Sequence, residues 1–204
     1  MSERETEYAA RAAEVLRREA RAVDELAERI DESIVEVAQA LLDCRGHILV
    51  TGAGTSHAVA ARLAHLLACV GRPALCINAA DSLHGGAGAV TERDIVYAIS
   101  KGGRSTEINE FVRIVKERGA TIVAQTESAN SPLGRMSDVV FRVSAPEDVD
   151  PYGMIATGSS LVNAAAGDAL CVLLLEMSGY SKEEFGATHP GGAVGERLQQ
   201  EERP

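Results

Sequence analysis

The chain has 204 residues, 46% of them hydrophobic and 3% aromatic with no tryptophan, and a formal net charge of −10. That length suffices for one domain with a continuous core, while the acidic balance and scarcity of aromatics exclude non-specific binding to phosphate backbones and base-stacking on single strands. Cys44, Cys69, Cys76 and Cys171 are scattered without C-x-x-C spacing, which argues against a disulfide framework or zinc site and for a reducing, cytoplasmic compartment.

Residues 1–21 are charged throughout, without a leader-like apolar segment, and no later apolar run is read as reaching the ~18 residues of a membrane span. No membrane association is expected. From Glu5 to Leu42 the period is helical: Leu16, Val23, Ile30 and Val37 recur, with Ala20, Ala27, Ile34 and Leu41 following them, so that one apolar stripe results. Ser33-Ile34-Val35-Glu36 has the capping-box pattern and predicts a break into two helices near Asp31. Residues 1–44 read as a helical arm that packs on its own domain or on a neighbouring subunit, and 45–204 as the domain proper.

After Gly46 the period shifts to short β-rich runs: His47–Thr51, Ala74–Asn78, Ile95–Ile99, Thr121–Ala124 and Val139–Val143. Most are apolar on both faces, as a parallel sheet covered by helices requires. Helical segments over 57–70 and 106–118 separate the earlier strands. A long helix over about 158–178 follows the last one, then a short segment at Lys182–Phe185 and a Gly-rich tail. The alternation predicts an α/β fold of three layers, α/β/α, around a five-stranded parallel sheet in flavodoxin-like order, with ligands at the C-terminal strand ends.

Two strands lead through small polar residues into a helix: Gly52-Ala53-Gly54-Thr55-Ser56 follows the first, and Ser100-Lys101-Gly102-Gly103-Arg104-Ser105-Thr106 the third. Such turns aim backbone N–H groups, hydroxyls and the positive helix end at one point, which suits a phosphate. The dinucleotide fingerprint fails at its third glycine, where His57 stands, and no Gly-Lys-Ser/Thr of a Walker loop occurs. Proton transfer on a phosphorylated ligand needs a base, donors for the ligand's oxygens and a fixed phosphate handle. His189, on the Gly-rich tail, suits the base, since an unperturbed imidazole titrates near pH ~6.5. Glu107, in the first turn of its helix, suits an orienting anion. His47 and His65 read as structural, and His57 stays open between a structural and a ligand-facing role. Asp168, inside an apolar helix, reads as a buried carboxylate with a structural partner.

The first loop, Ser82-Leu83-His84-Gly85, Ala98-Ile99-Ser100-x-Gly102-Gly103, Pro146-Glu147-Asp148, Gly167-Asp168-Ala169-Leu170 and Thr188-His189-Pro190-Gly191-Gly192-Ala193-Val194-Gly195 occur in one order. Over roughly residues 40 to 200 the chain thereby resembles the arabinose-5-phosphate isomerase family of sugar isomerase (SIS) proteins. The resemblance implies a phosphorylated sugar as ligand, held by Ser56, Ser100 and Ser105 within loops that also contribute Gly54, Thr55, Lys101, Gly103, Arg104 and Thr106. It implies catalysis by His189, Glu107, His84 and Asp148, without cofactor or metal. Subunits are expected to form a homodimer or homotetramer with sites at their interfaces.

The chain departs from the family pattern at Thr55, where a lysine is usual, and at Asp148, where a glutamate is. Its second loop reads Ser-Lys-Gly-Gly-Arg-Ser in place of Ser-Asn-Ser-Gly-Glu-Thr, so Lys101 and Arg104 are expected to supply the cation that Thr55 cannot. Family members often carry CBS modules after the SIS domain, and a single-domain form is expected here. The competing reading is a phosphosugar sensor without turnover. A regulator of that kind would carry a basic DNA-binding module, for which residues 1–45 lack length and charge. A lyase or ether hydrolase acting on an amino-sugar phosphate shares the fold, but the sequence offers no acid pair beyond Glu107 and Asp148 to argue for it.

Overall fold

The computed structural model of the chain describes residues 2–201; the last three residues of the domain as read from sequence lie outside this range. Two helices open it, α1 (Glu3–Ala27) and α2 (Ser33–Leu42). The break falls where the sequence places it, but its cap does not. Ser33 is already inside α2, and the Asp31 carboxylate accepts from its N–H at 3.0 Å. Capping boxes form instead at Ser2–Glu5 and Ser181–Glu184.

Five strands follow, β1 (Ile48–Gly52), β2 (Ala74–Cys76), β3 (Ile95–Ile99), β4 (Thr121–Thr126) and β5 (Val139–Arg142), all parallel and ordered β2-β1-β3-β4-β5. This is the expected flavodoxin-like order. β2 is shorter than the sequence suggests because Asn78 turns the chain into α4 (Ala79–Ser82), its side chain accepting from the N–H groups of Ala80 and Asp81. α3 (Thr55–Cys69) and α7 (Gly158–Ser178) cover one face together with α1 and α2. The other face carries α4, α5 (Thr106–Glu117) and α6 (Pro132–Met136).

Strand residues divide between the faces with the period of two that β geometry dictates. Tyr97 and Ile99 pack with Leu41, Leu63, Leu67 and Leu170, whereas Val96 and Ala98 pack with Ile108, Phe111 and Val115. Val37, Ala38 and Leu41 are fully buried, so α2 belongs to this core. α1 docks on it through Ala22 and Leu26 while Leu16 stands 67% exposed, so the apolar stripe is not continuous.

α7 corrects another expectation. It is long and apolar enough to cross a membrane, with mean hydropathy 1.5, a run that Asn163 and Asp168 disguise in the sequence. Val162, Ala166, Leu170 and Leu174 of this helix are fully buried in the protein, which is the behaviour of a core helix. The short segment after α7 is the helix α8 (Lys182–Thr188), and the Gly-rich tail folds into α9 (Gly192–Glu201).

Candidate active site

Because β1 and β3 are neighbours, with Gly52 beside Ile99, the two hydroxyl-rich loops emerge side by side where the strand order reverses. The first loop turns through Gly54, whose φ of +55° and ψ of −126° no β-carbon tolerates well, and places Thr55 and Ser56 in the first turn of α3. The second ends at Ser105, whose hydroxyl lies 3.3 Å from that of Ser100.

Most helix starts in the chain are capped by their own neighbourhood. Ser2, Asn78, Ser131 and Ser181 accept from the first turns of α1, α4, α6 and α8, and Asp31 and Asp150 from those of α2 and α7. α3 and α5 begin with no side-chain cap. Their positive ends and N–H groups therefore sit beside each other among the hydroxyls of Thr55, Ser56, Ser100, Ser105 and Thr106, an arrangement suited to an oxyanion.

Gly103 fixes the second loop. Its φ is +62°, its N–H donates to the Ser100 carbonyl at 3.0 Å, and its own carbonyl accepts from Leu133 N–H at 3.1 Å and Asn109 Nδ2 at 3.3 Å. A β-carbon here would collide with the Ser131 side chain, itself the cap of α6. Gly103→Ala is expected to cost about 2–4 kcal/mol, combining left-handed strain with overpacking. A urea midpoint unchanged from the parent protein would refute this.

Lys101, expected from the sequence to supply a cation, is ion-paired. Its ammonium donates to Asp150 Oδ2 at 3.2 Å. Asp150 is 4% exposed, and its other oxygen accepts the Ser159 N–H at 2.9 Å. Burial alone pushes this carboxyl up, but the bonds from Ser159 and the Lys101 charge outweigh it and hold it below the usual carboxylate range. Glu127, half-buried after β4, goes the other way: burial raises it, and the nearby Lys101 only partly offsets that. Neither Asp150 nor Glu127 was legible as a site residue. Asp150 stands eight residues before α7, outside any capping spacing, and Glu127 sits in an ordinary strand-to-loop passage.

Glu107 is half-buried in the first turn of α5, and Arg104 is exposed beside it. His84, after β2, and Asp148, after β5, are exposed on the same edge of the sheet but on opposite flanks, four strand spacings apart or ~19 Å at ~4.8 Å each. Asp168 is half-exposed rather than buried, and it does have a structural partner: it pairs with Arg62 and ties α7 to α3. His57 lies at the start of α3 with its Nδ1 3.9 Å from Cys76 Sγ.

His189 is the residue the fold separates from the others. It ends α8, its ring stacked on Phe185 with centroids 3.8 Å apart. Nδ1 lies 2.9 Å from the Phe185 carbonyl, which can only accept, so Nδ1 carries the proton. Nε2 faces Cys69 Sγ at 3.4 Å. Cys69 closes α3 and Thr55 opens it, so His189 stands roughly 20 Å from its own first loop, the length of a fifteen-residue helix at ~1.5 Å per residue.

The strand order and the paired loops define a doubly wound α/β protein with two uncapped helix starts at its topological switch point. The model of the SIS domain family matches residues 41–173, and the chain belongs to that family. It is 36% identical over 177 residues to arabinose 5-phosphate isomerase KdsD of Pseudomonas aeruginosa, covering 87% of this chain and 54% of that protein. The KdsD of Escherichia coli is 32% identical over 185 residues, covering 91% of this chain and 56% of its own length. The chain thus spans about half the length of these curated relatives. Among solved structures, a provisionally assigned sugar-phosphate isomerase of Listeria monocytogenes superposes with a TM-score of 0.88 at 33% identity, covering 94% of this chain and all of that one. The Escherichia coli protein c3406 in complex with arabinose 5-phosphate gives 0.87 at 26% identity, covering 93% of this chain and all of that one.

Proposed function

We propose that the protein is an aldose–ketose isomerase acting on a phosphorylated pentose or similar sugar, with arabinose 5-phosphate the first substrate to test. The observation that carries this reading is the pair of uncapped helix starts, α3 and α5, side by side among serine and threonine hydroxyls. Ser56, Ser100 and Ser105 hold the phosphate, with Gly54 and Gly103 shaping the loops and Thr55, Arg104 and Thr106 at their rim. One proton then moves between C1 and C2 through an enediolate, a step that in this reading needs neither cofactor nor metal. His189 is its base, Glu107 orients the sugar hydroxyls, and His84 and Asp148 approach from the flanks. The place of action is the cytoplasm.

His189 stands too far from its own loops to act there, which supports sites completed by a second copy of the chain in a homodimer or homotetramer. Exposed apolar side chains agree: Tyr152, Met154 and Ile155 beside the site, and Leu161 and Val172 on α7, await cover. Light scattering at micromolar concentration is expected to give a multiple of the chain mass, and a monomer would remove the base from the reaction. The N-terminal part of α1, with Tyr8 and Leu16 exposed, is a second surface for such contacts.

Incubation with a panel of sugar phosphates in D₂O, followed by NMR, is expected to exchange deuterium into C1 or C2 of one of them. Ser100→Ala and Ser105→Ala should each weaken phosphosugar binding by ~1–3 kcal/mol, the loss of a hydrogen bond to a charged group, and equal affinity for the unphosphorylated sugar would contradict this. A second reading, binding without turnover, is favoured by Thr55 standing where the family usually has lysine. Tight binding with no exchange on any panel member would establish it instead.

A further inference from the structure

The Lys101–Asp150 pair joins a half-exposed ammonium to a carboxylate whose side chain is 2% exposed. Asp150 already has a structural task, since it caps α7 through Ser159, and an anion at a helix N-terminus is stabilised there without a cation beside it. The lysine is thus not needed to keep the helix capped. Its backbone is fixed as well: the Lys101 carbonyl accepts from Thr126 Oγ1 and from Glu127 N–H, both at 3.0 Å. An ammonium has three donors, and only the bond to Asp150 is made among the described residues.

Behind Asp150 the anchor runs into the core. Ser159 O accepts from Asn163 Nδ2 at 2.8 Å, Asn163 Oδ1 from Gln125 Nε2 at 2.8 Å, and Gln125 Oε1 from the hydroxyl of buried Tyr97 at 2.7 Å. Such a chain of satisfied buried bonds fixes the carboxylate rigidly, and through it a long side chain that would otherwise sample many rotamers. Lys101 directly follows Ser100, so its side chain leaves the same loop that carries the paired Ser100 and Ser105 hydroxyls. Residues 52–57 offer no permanent cation.

We propose that Lys101 is the electrophile that meets the negative charge developing on the sugar oxygens, and that the buried Asp150 is its positioning residue. This rests on the isomerase reading. A fixed cation aimed where charge develops lowers the barrier more than it tightens the ground state, because it need not reorganise during reaction. Asp150, shielded inside the fold, contributes by holding the ammonium and not by touching the sugar.

The test compares Lys101→Met, Asp150→Asn and the double variant in the whole chain as it assembles in solution, on arabinose 5-phosphate or the panel member the protein turns over. Lys101→Met leaves the cap of α7 intact and is expected to lower kcat by about 10²-fold, with the dissociation constant of the sugar phosphate changed by no more than about threefold. Asp150→Asn should lower kcat by about tenfold, Asp150→Glu should recover part of that, and the double variant should be no slower than Lys101→Met alone. Losses that multiply in the double variant would overturn the positioning role, because Asp150 would then act independently of Lys101. Normal kcat in a folded Lys101→Met protein would overturn the inference while leaving the isomerase reading standing. Absence of turnover by the unmodified protein would overturn both.

Discussion

Replacing His189 by glutamine is expected to lower kcat by about 10²–10⁴-fold while leaving sugar-phosphate affinity nearly unchanged, the range a general base contributes. A base acts mainly in the transition state, whereas the phosphate cradle binds ground and transition states alike. A hydrogen bond from Nδ1 to the Phe185 carbonyl orients the imidazole and leaves Nε2 as its acceptor nitrogen, the tautomer proton abstraction requires. In its own chain Nε2 faces Cys69 at the far end of α3, so in the proposed reading the reaction it serves lies in another copy. At substrate well below the weakened dissociation constant of Ser100→Ala, mixing His189→Gln and Ser100→Ala protomers should then bring the activity to about a quarter of normal in a dimer, since about half of randomly paired dimers are mixed and each holds one intact site. No restoration after subunit exchange would place the base elsewhere, with Glu107 and His84 the next candidates in that order. Near-normal turnover by His189→Gln itself would have the same consequence.

The parallel sheet was legible because residues such as Val96, Tyr97 and Ala98 are apolar on both faces, a pattern that a half-exposed strand would not show. The paired loops were legible because glycines and hydroxyls just after a strand have few other uses. What escaped the sequence is long-range. Nothing in the residues around Asp150 announces that Lys101, 49 positions earlier, reaches it. The glycines at 191, 192 and 195 suggested an open tail, whereas tertiary packing folds the segment into α9 and buries Gly195. The distance between His189 and the hydroxyl-rich loops follows from where α8 docks, which composition does not encode. Ser33 shows the same limit locally, for its capping pattern with Glu36 is present, yet Asp31 takes the place of the cap.

Asp94→Ala is expected to destabilise the protein by about 3 kcal/mol at neutral pH, because two backbone donors lose their acceptor at ~1–3 kcal/mol each. The Asp94 side chain accepts from His47 N–H at 2.7 Å and from Thr91 N–H and Oγ1 at 2.8 Å each. It therefore ties the start of β1 to the start of β3, the two strands whose far ends carry the hydroxyl-rich loops. Burial alone pushes this carboxyl up, but the three hydrogen bonds outweigh that and hold it below the usual carboxylate range. A carboxyl depressed in the folded state contributes stability that is fully present above its unfolded value of ~3.9 and is lost as pH falls through the folded value. The gap in urea midpoint between parent and Asp94→Ala should accordingly be widest near neutrality and narrow below about pH 4. Asp150 is depressed in the same direction but is present in both proteins, so it cancels from the difference. A gap that stayed constant into acid would mean that the carboxylate charge contributes nothing, and that the loss at neutral pH reflects packing alone.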